Sequence, residues 1–149
     1  MTYNRVFNTL GVLGLLPFGF GIVLTLLETD FFGINGFDIF TSYSLAILCF
    51  LSGSLWGQIL KGEFFDRNKR ALVMTNVLVV AGWSASLASE EFSIISLIVL
   101  GIAFCGVFLM EIFLIRQSAM SLNRDYARLR FTLTALVLSG HVGMVVIHA

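Results

Sequence analysis

Glu111 is the one Asp, Glu, Lys or Arg inside an apolar run of this 149-residue chain. Counting 1.5 Å per helical residue, it lies about 11 Å from the middle of its run, on the side where the chain carries its bases. A charge at that depth costs at least a few kcal/mol unless it is paired, hydrated or neutralised. Asn8, Gln58 and Thr132 stand at similar depth in other runs, and Asn76 stands somewhat deeper. Each run thus supplies one polar side chain to the same half of the membrane. Two chemistries fit: a proton or ion foothold open to the cytoplasm, or a structural hydrogen-bond layer in which Glu111 meets Arg5, Arg128, Arg130 or water. Either one predicts that Glu111 faces the interior of a helix bundle.

His141 lies near the middle of the last run. A lone imidazole there could ligate haem, relay a proton or serve as a hydrogen-bond post. A b-type haem within one chain wants a second ligand at matching depth, and His148 sits at the far end of the same run. Its depth makes Trp83 or Ser84 the expected neighbours. No Ser/His/Asp set, HExxH, P-loop or carboxylate pair is present, so no catalytic residue and no metal site is expected. No cofactor is predicted, with haem as the single candidate group. Cys49 and Cys105 lie inside apolar runs without metal spacing and read as buried thiols acting as small apolar residues.

The elements that must position these residues follow from composition. Fifty-eight per cent of the chain is apolar and 12 per cent charged, against about 25 per cent charged in ordinary soluble domains. A soluble protein of this size could not hide that surface, whereas lipid can solvate it. The apolar runs predict an all-α, polytopic membrane protein: one bundle of five transmembrane helices over residues 6–27, 41–60, 71–89, 92–115 and 131–148. The first run is too long for a signal sequence and reads as a retained helix. Pro17 inside it predicts a kink.

Threaded back and forth, the runs place Arg5, Lys61, Arg67, Lys69, Arg70, Arg116, Arg124, Arg128 and Arg130 on one face. Glu28, Asp30, Asp38, Glu90 and Glu91 fall on the other, with no base. Because Lys and Arg are retained on the cytoplasmic side, the N-terminus is expected inside and the C-terminus outside. That asymmetry disfavours dual topology, so any homo-oligomer should be parallel. The basic residues then serve topology and lipid headgroup contact. Their distribution lacks the run length and aromatic interleaving of a nucleic-acid surface.

The loop over residues 28–40, rich in Phe beside acids, is expected to lie on the outer interface. Asn123 is a candidate N-cap, which would start the last helix ahead of the membrane and lay Tyr126 and the arginines along the inner interface. Small residues four apart recur as Gly53/Gly57, Gly82/Ser86 and Ser139/Gly143. Such pairs let helix backbones approach closely in lipid. Packing inside the chain is the favoured use, and packing between chains the alternative.

Several strings resemble a known family. Leu13-Gly14-Leu15-Leu16-Pro17-Phe18 is similar to the first-helix motif of the domain of unknown function 3429 family. Tyr43 with Ile47 through Gly53 and Trp56-Gly57 resembles its second-helix motif. Trp83 fits its third helix, and Tyr126 through Thr134 resembles its last motif. The chain departs from the family's pattern by lacking a proline in the third helix and by carrying Leu55 where a more polar residue is expected. The resemblance implies a small multi-pass protein of the bacterial inner membrane, with a mitochondrial relative and no assigned activity. It marks Pro17, Tyr43, Gly53, Trp56, Gly57, Trp83, Tyr126, Arg128 and Arg130 as positions to watch. Small size, packing motifs and the lack of a chemical site point to a non-enzymatic accessory, assembly or scaffold subunit with a membrane-protein partner or a parallel copy of itself. The alternatives are a small transporter or proton-coupled channel built around Glu111, and haem or quinone binding through His141.

Overall fold

The structure is a computed structural model, and it describes residues 9–61, 65–117 and 124–149. The described residues form α1 (Leu16–Leu26), α2 (Gly36–Lys61), α3 (Phe65–Leu87), α4 (Ser93–Gln117) and α5 (Arg124–His148), with no strand among them. Counting a helical stretch over residues 9–13 that precedes α1, five helices are long and apolar enough to cross a membrane.

Pro17 sits in the first turn of α1. It lacks the N–H that would bond the Leu13 carbonyl. The helix gives way to a turn at residues 14–15, where the Leu15 N–H bonds the Val12 carbonyl at 3.0 Å. The kink expected from the sequence is therefore a break just ahead of the proline.

Two helices begin earlier than their apolar runs. α2 starts at Gly36 rather than at residue 41, because Asn35 caps it. The Asp38 N–H donates to Asn35 Oδ1 at 2.8 Å, and Asn35 Nδ2 donates to Asp38 Oδ2 at 2.9 Å. The first bond satisfies an otherwise orphaned backbone donor of the first turn, and the second holds the two side chains together. α3 starts at Phe65, six residues ahead of the expected 71, so charged residues form its first turns. α5 starts at Arg124, ahead of its apolar run as expected. Asn123, its candidate cap, lies outside the described residues.

Residue contacts fix the relative directions. Trp56 meets Thr75 while Leu48 lies against Gly82, and Leu78 against Gly106 while Leu100 lies against Gly82. Partners rise along one helix as they fall along the next, so α2, α3 and α4 alternate in direction. α4 and α5 also run antiparallel, from Gly101 beside His141 to Glu111 beside Arg130. α1 runs parallel to α5, with Gly11 near Leu133 and Ile22 near Gly140. Each helix packs on its sequence neighbour, α1 closes the ring on α5, and α2 also crosses to α4.

The core is built from Phe18, Phe40, Leu48, Leu97, Leu100, Phe104, Val107 and Met144. At its centre the Phe18 ring meets Phe40 at 5.3 Å and Tyr43 at 5.0 Å, both edge-on. That geometry is the favoured one for aromatic pairs. One end of the bundle carries Lys69, Arg70, Arg128 and Arg130, and the other carries Glu28, Asp30, Asp38, Glu90 and Glu91.

Candidate functional site

At the basic end, Glu111 on α4 is 4 % exposed. Its carboxylate is saturated by α5. Tyr126 donates its hydroxyl to Oε1 at 2.6 Å. Arg130 donates from Nε at 2.8 Å and from Nη2 at 2.5 Å, both to Oε2. Tyr126 and Arg130 lie one helical turn apart, so both side chains leave α5 on one face. Their charge-assisted bonds fasten the ends of α4 and α5 together. Beside this triad, Phe108, Ile112, Ile115, Ala127 and Phe131 line a cavity of about 240 Å³.

The other polar side chains expected at this depth do not join Glu111. Gln58, Asn76 and Thr132 are all exposed on the outside of the bundle, and Asn76 donates its amide back to the Leu72 carbonyl of its own helix at 3.0 Å. Asn8 lies outside the described residues. A shared layer of Gln58, Asn76, Thr132 and Glu111 is therefore replaced by one closed triad, because equal depth on four helices does not imply a common direction.

His141 is buried in the aromatic centre rather than beside Trp83 or Ser84, both of which are exposed. Its ring lies 4.9 Å from Phe40, 5.6 Å from Phe104 and 6.4 Å from Phe18. Nδ1 lies 2.9 Å from the Val137 carbonyl. A carbonyl only accepts, so Nδ1 carries the proton and a neutral ring presents Nε2 as a bare acceptor. Nε2 has no partner among the described residues. A lone imidazole nitrogen with its other nitrogen fixed by a carbonyl is the donor arrangement a haem ligand uses. The rings of Phe40, Phe104 and Phe18 are its aromatic neighbours. His141→Leu removes one hydrogen bond and one unpartnered buried nitrogen, opposing effects of about 1 kcal/mol each, so it should change stability by less than about 1.5 kcal/mol. Melting temperatures within several degrees of each other in detergent are the expected reading, and loss of a visible absorption band on substitution would reverse it.

The packing motifs separate by direction. A Cβ on Gly82 would meet Leu48 at 2.8 Å and Leu100 at 3.3 Å, so this glycine seats α3 against α2 and α4. Gly53, Gly57 and Gly143 have nothing within 4 Å of such a Cβ. The expectation that these three pack inside the chain is corrected: a helix apolar all round does not reveal which face its neighbours take. Ser139 is also exposed and bonds the Leu136 carbonyl of its own helix at 2.8 Å. Ser86 is only partly buried. Cys49 and Cys105 are exposed free thiols rather than buried ones.

The family model described as a protein of unknown function (DUF3429) matches residues 3–146. The chain belongs to this family. No curated protein and no solved structure matches it. Within this DUF3429 chain, the stretch from Tyr126 to Thr134 that carried the last family motif holds two of the three members of the triad. Trp56 of the second-helix motif is anchored as well: its Nε1 donates to the Thr75 hydroxyl of α3 at 3.1 Å. Tyr43 packs against Phe18, the residue after Pro17. Gly53 and Gly57 of the same motif face outward.

Two features escaped the sequence reading. One is the reciprocal glycine contact between α1 and α2: a Cβ on Gly21 would lie 2.9 Å from the Gly36 carbonyl oxygen. Its only signal was that both residues are glycine. The other is a cleft of about 690 Å³ at the acidic end, lined in part by Glu28, Asp30, Asp38, Glu90 and His148. No three of the described His, Cys, Asp and Glu residues come close enough to hold a metal ion.

Proposed function

We propose that this protein is a non-enzymatic accessory or assembly subunit of a larger membrane complex. It would reside in the bacterial inner membrane with its basic end in the cytoplasm. The observation that supports this reading is the outward, uncovered Gly53/Gly57 pair on α2. The buried charge is paired inside the chain, because both carboxylate oxygens of Glu111 are engaged. The small-residue motif of α2, by contrast, meets no other helix among the described residues. In lipid, such a surface is where another helix gains close van der Waals contact. Trp56, 37 % exposed, borders it. The segregation of bases and acids to opposite ends supports one orientation. A homo-oligomer would then be parallel.

The test is gentle extraction of the protein from its own membrane followed by native mass spectrometry, with Gly53→Leu and Gly57→Leu beside the natural sequence. Both variants should keep the melting temperature of the parent, since none of the described residues occupies that space. Both should lose at least ten-fold in co-isolated partner subunit. Unchanged co-isolation in both variants, or a parent that runs alone, would refute the subunit reading. Glu111→Gln should leave partner recovery intact, and a loss confined to that variant would favour transport through the triad instead.

A further inference from the structure

The wedge between α4 and α5 has a shape and polarity that the subunit reading leaves unused. We infer that it is a binding site for one glycerophospholipid, with part of an acyl chain between Phe108, Ile112, Ile115 and Phe131 and a headgroup or ester oxygen on the guanidinium of Arg130.

The cavity's volume of about 240 Å³ falls below the roughly 300–1,000 Å³ of sites that enclose a whole small molecule. It therefore takes one segment of a larger ligand. Its walls are aromatic and aliphatic, and its polar groups stand together on one side. An amphipathic ligand matches that division.

The polar side selects an acceptor. Both oxygens of Glu111 are already occupied, by Tyr126 and by Arg130. A cation would have to displace those bonds. Arg130, in contrast, carries five N–H donors, and Nε and Nη2 direct one each to Glu111. Of the three donors that remain, one faces the Tyr126 hydroxyl, which leaves two to offer an arriving oxygen. An oxygen arriving from the wedge would satisfy them without disturbing the triad.

Depth selects a lipid. Glu111 and Arg130 each lie four residues inside the ends of the candidate spans Ser93–Ile115 and Tyr126–His148. That is about 6 Å along a helix. At this level the hydrocarbon gives way to the ester and phosphate region of a bilayer. Basic pockets between membrane helices are sites for anionic headgroups.

The test leaves the ion pair untouched. Ala127 lines the wedge, and Ala127→Phe fills it. The full-length protein, exchanged into detergent and mixed with phosphatidylglycerol or phosphatidylcholine, is read by native mass spectrometry. The parent should retain one phospholipid per chain, with phosphatidylglycerol preferred, and Ala127→Phe should cut retention at least ten-fold. Leu136→Phe, on an outward position of α5, should retain lipid as the parent does. If Ala127→Phe does not fold, Ile115→Trp at the same wedge carries the test with the same expected loss. A parent that retains no phospholipid, equal retention in a folded wedge variant, or a bound mass of another class overturns the proposal. These readouts do not depend on co-isolated subunits, so the lipid site and the subunit reading fail separately.

Discussion

Replacing Glu111 by alanine is expected to lower stability by about 3 kcal/mol, the low end of the range for stripping one partner from a buried ion pair. The low end applies because Arg130 is 13 % exposed and close to the bilayer boundary. A long basic side chain there can swing its head toward water once its partner is gone. Even so, the variant leaves Arg130 and the Tyr126 hydroxyl without their shared acceptor, and α4 and α5 lose the bonds that join their basic ends. Glu111→Gln keeps an acceptor oxygen while losing charge assistance, so it should cost less, about 1–2 kcal/mol. The double variant Glu111→Leu/Arg130→Met removes both charges at near-constant volume and should recover most of the loss. A thermal-melting series in one detergent that includes the singles Glu111→Leu and Arg130→Met gives the coupling energy. If Glu111→Ala melts with the parent, the triad does not fasten the helices. If the double variant melts lower than Glu111→Ala, the pair is a source of stability beyond satisfying a buried charge.

The triad also shows what sequence can and cannot reveal in lipid. Depth was legible. About 20 apolar residues are needed to cross the hydrocarbon, so the five spans and the level of Glu111 could be read by counting, and Arg130 was among a short set of bases within reach. Direction around each helix was not legible. A helix that is apolar on every side has no periodic stripe to mark its buried face. Gln58, Asn76 and Thr132 therefore appeared to share a layer with Glu111, yet they point outward. His141 was matched by depth with Trp83 and Ser84, whereas its neighbours are Phe18, Phe40 and Phe104. Tyr126 was placed along the interface, but one turn of helix aligns it with Arg130. Helix starts fared differently again. Hydropathy detects the part of a helix that lies in lipid, so the charged first turns of α3 were missed. The start of α2 was encoded in Asn35 and Asp38, three residues apart, within a loop whose phenylalanines suggested interfacial chain.

Gly36→Val is expected to be the most damaging single-residue exchange where α1 meets α2. A Cβ on Gly36 would collide with the Gly21 carbonyl oxygen and would lie 2.5 Å from both the backbone nitrogen and the hydroxyl of Thr25. A Cβ on Gly21 would lie 3.0 Å from the Phe40 Cβ and 3.1 Å from the Phe40 backbone nitrogen. These obstacles are backbone or short side-chain atoms, so no flexible tip can move aside. The helices must separate, and Phe18 on α1 and Phe40 on α2, one turn away from the contact, would lose their 5.3 Å ring contact. Overpacking of this kind costs typically about 1–3 kcal/mol and occasionally more. Gly36→Ala should fall in the upper part of that range, and Gly36→Val beyond it. Gly143→Ala supplies the contrast, because that position is helical and has nothing within 4 Å. It should be neutral or stabilising by up to about 1 kcal/mol through helix propensity alone. Equal melting temperatures for Gly36→Ala and Gly143→Ala would mean that the α1–α2 contact yields without cost. A large loss confined to Gly36 would instead make this glycine crossing, rather than the outward Gly53/Gly57 pair, the small-residue contact on which the fold depends, and would leave the outward pair free for a partner.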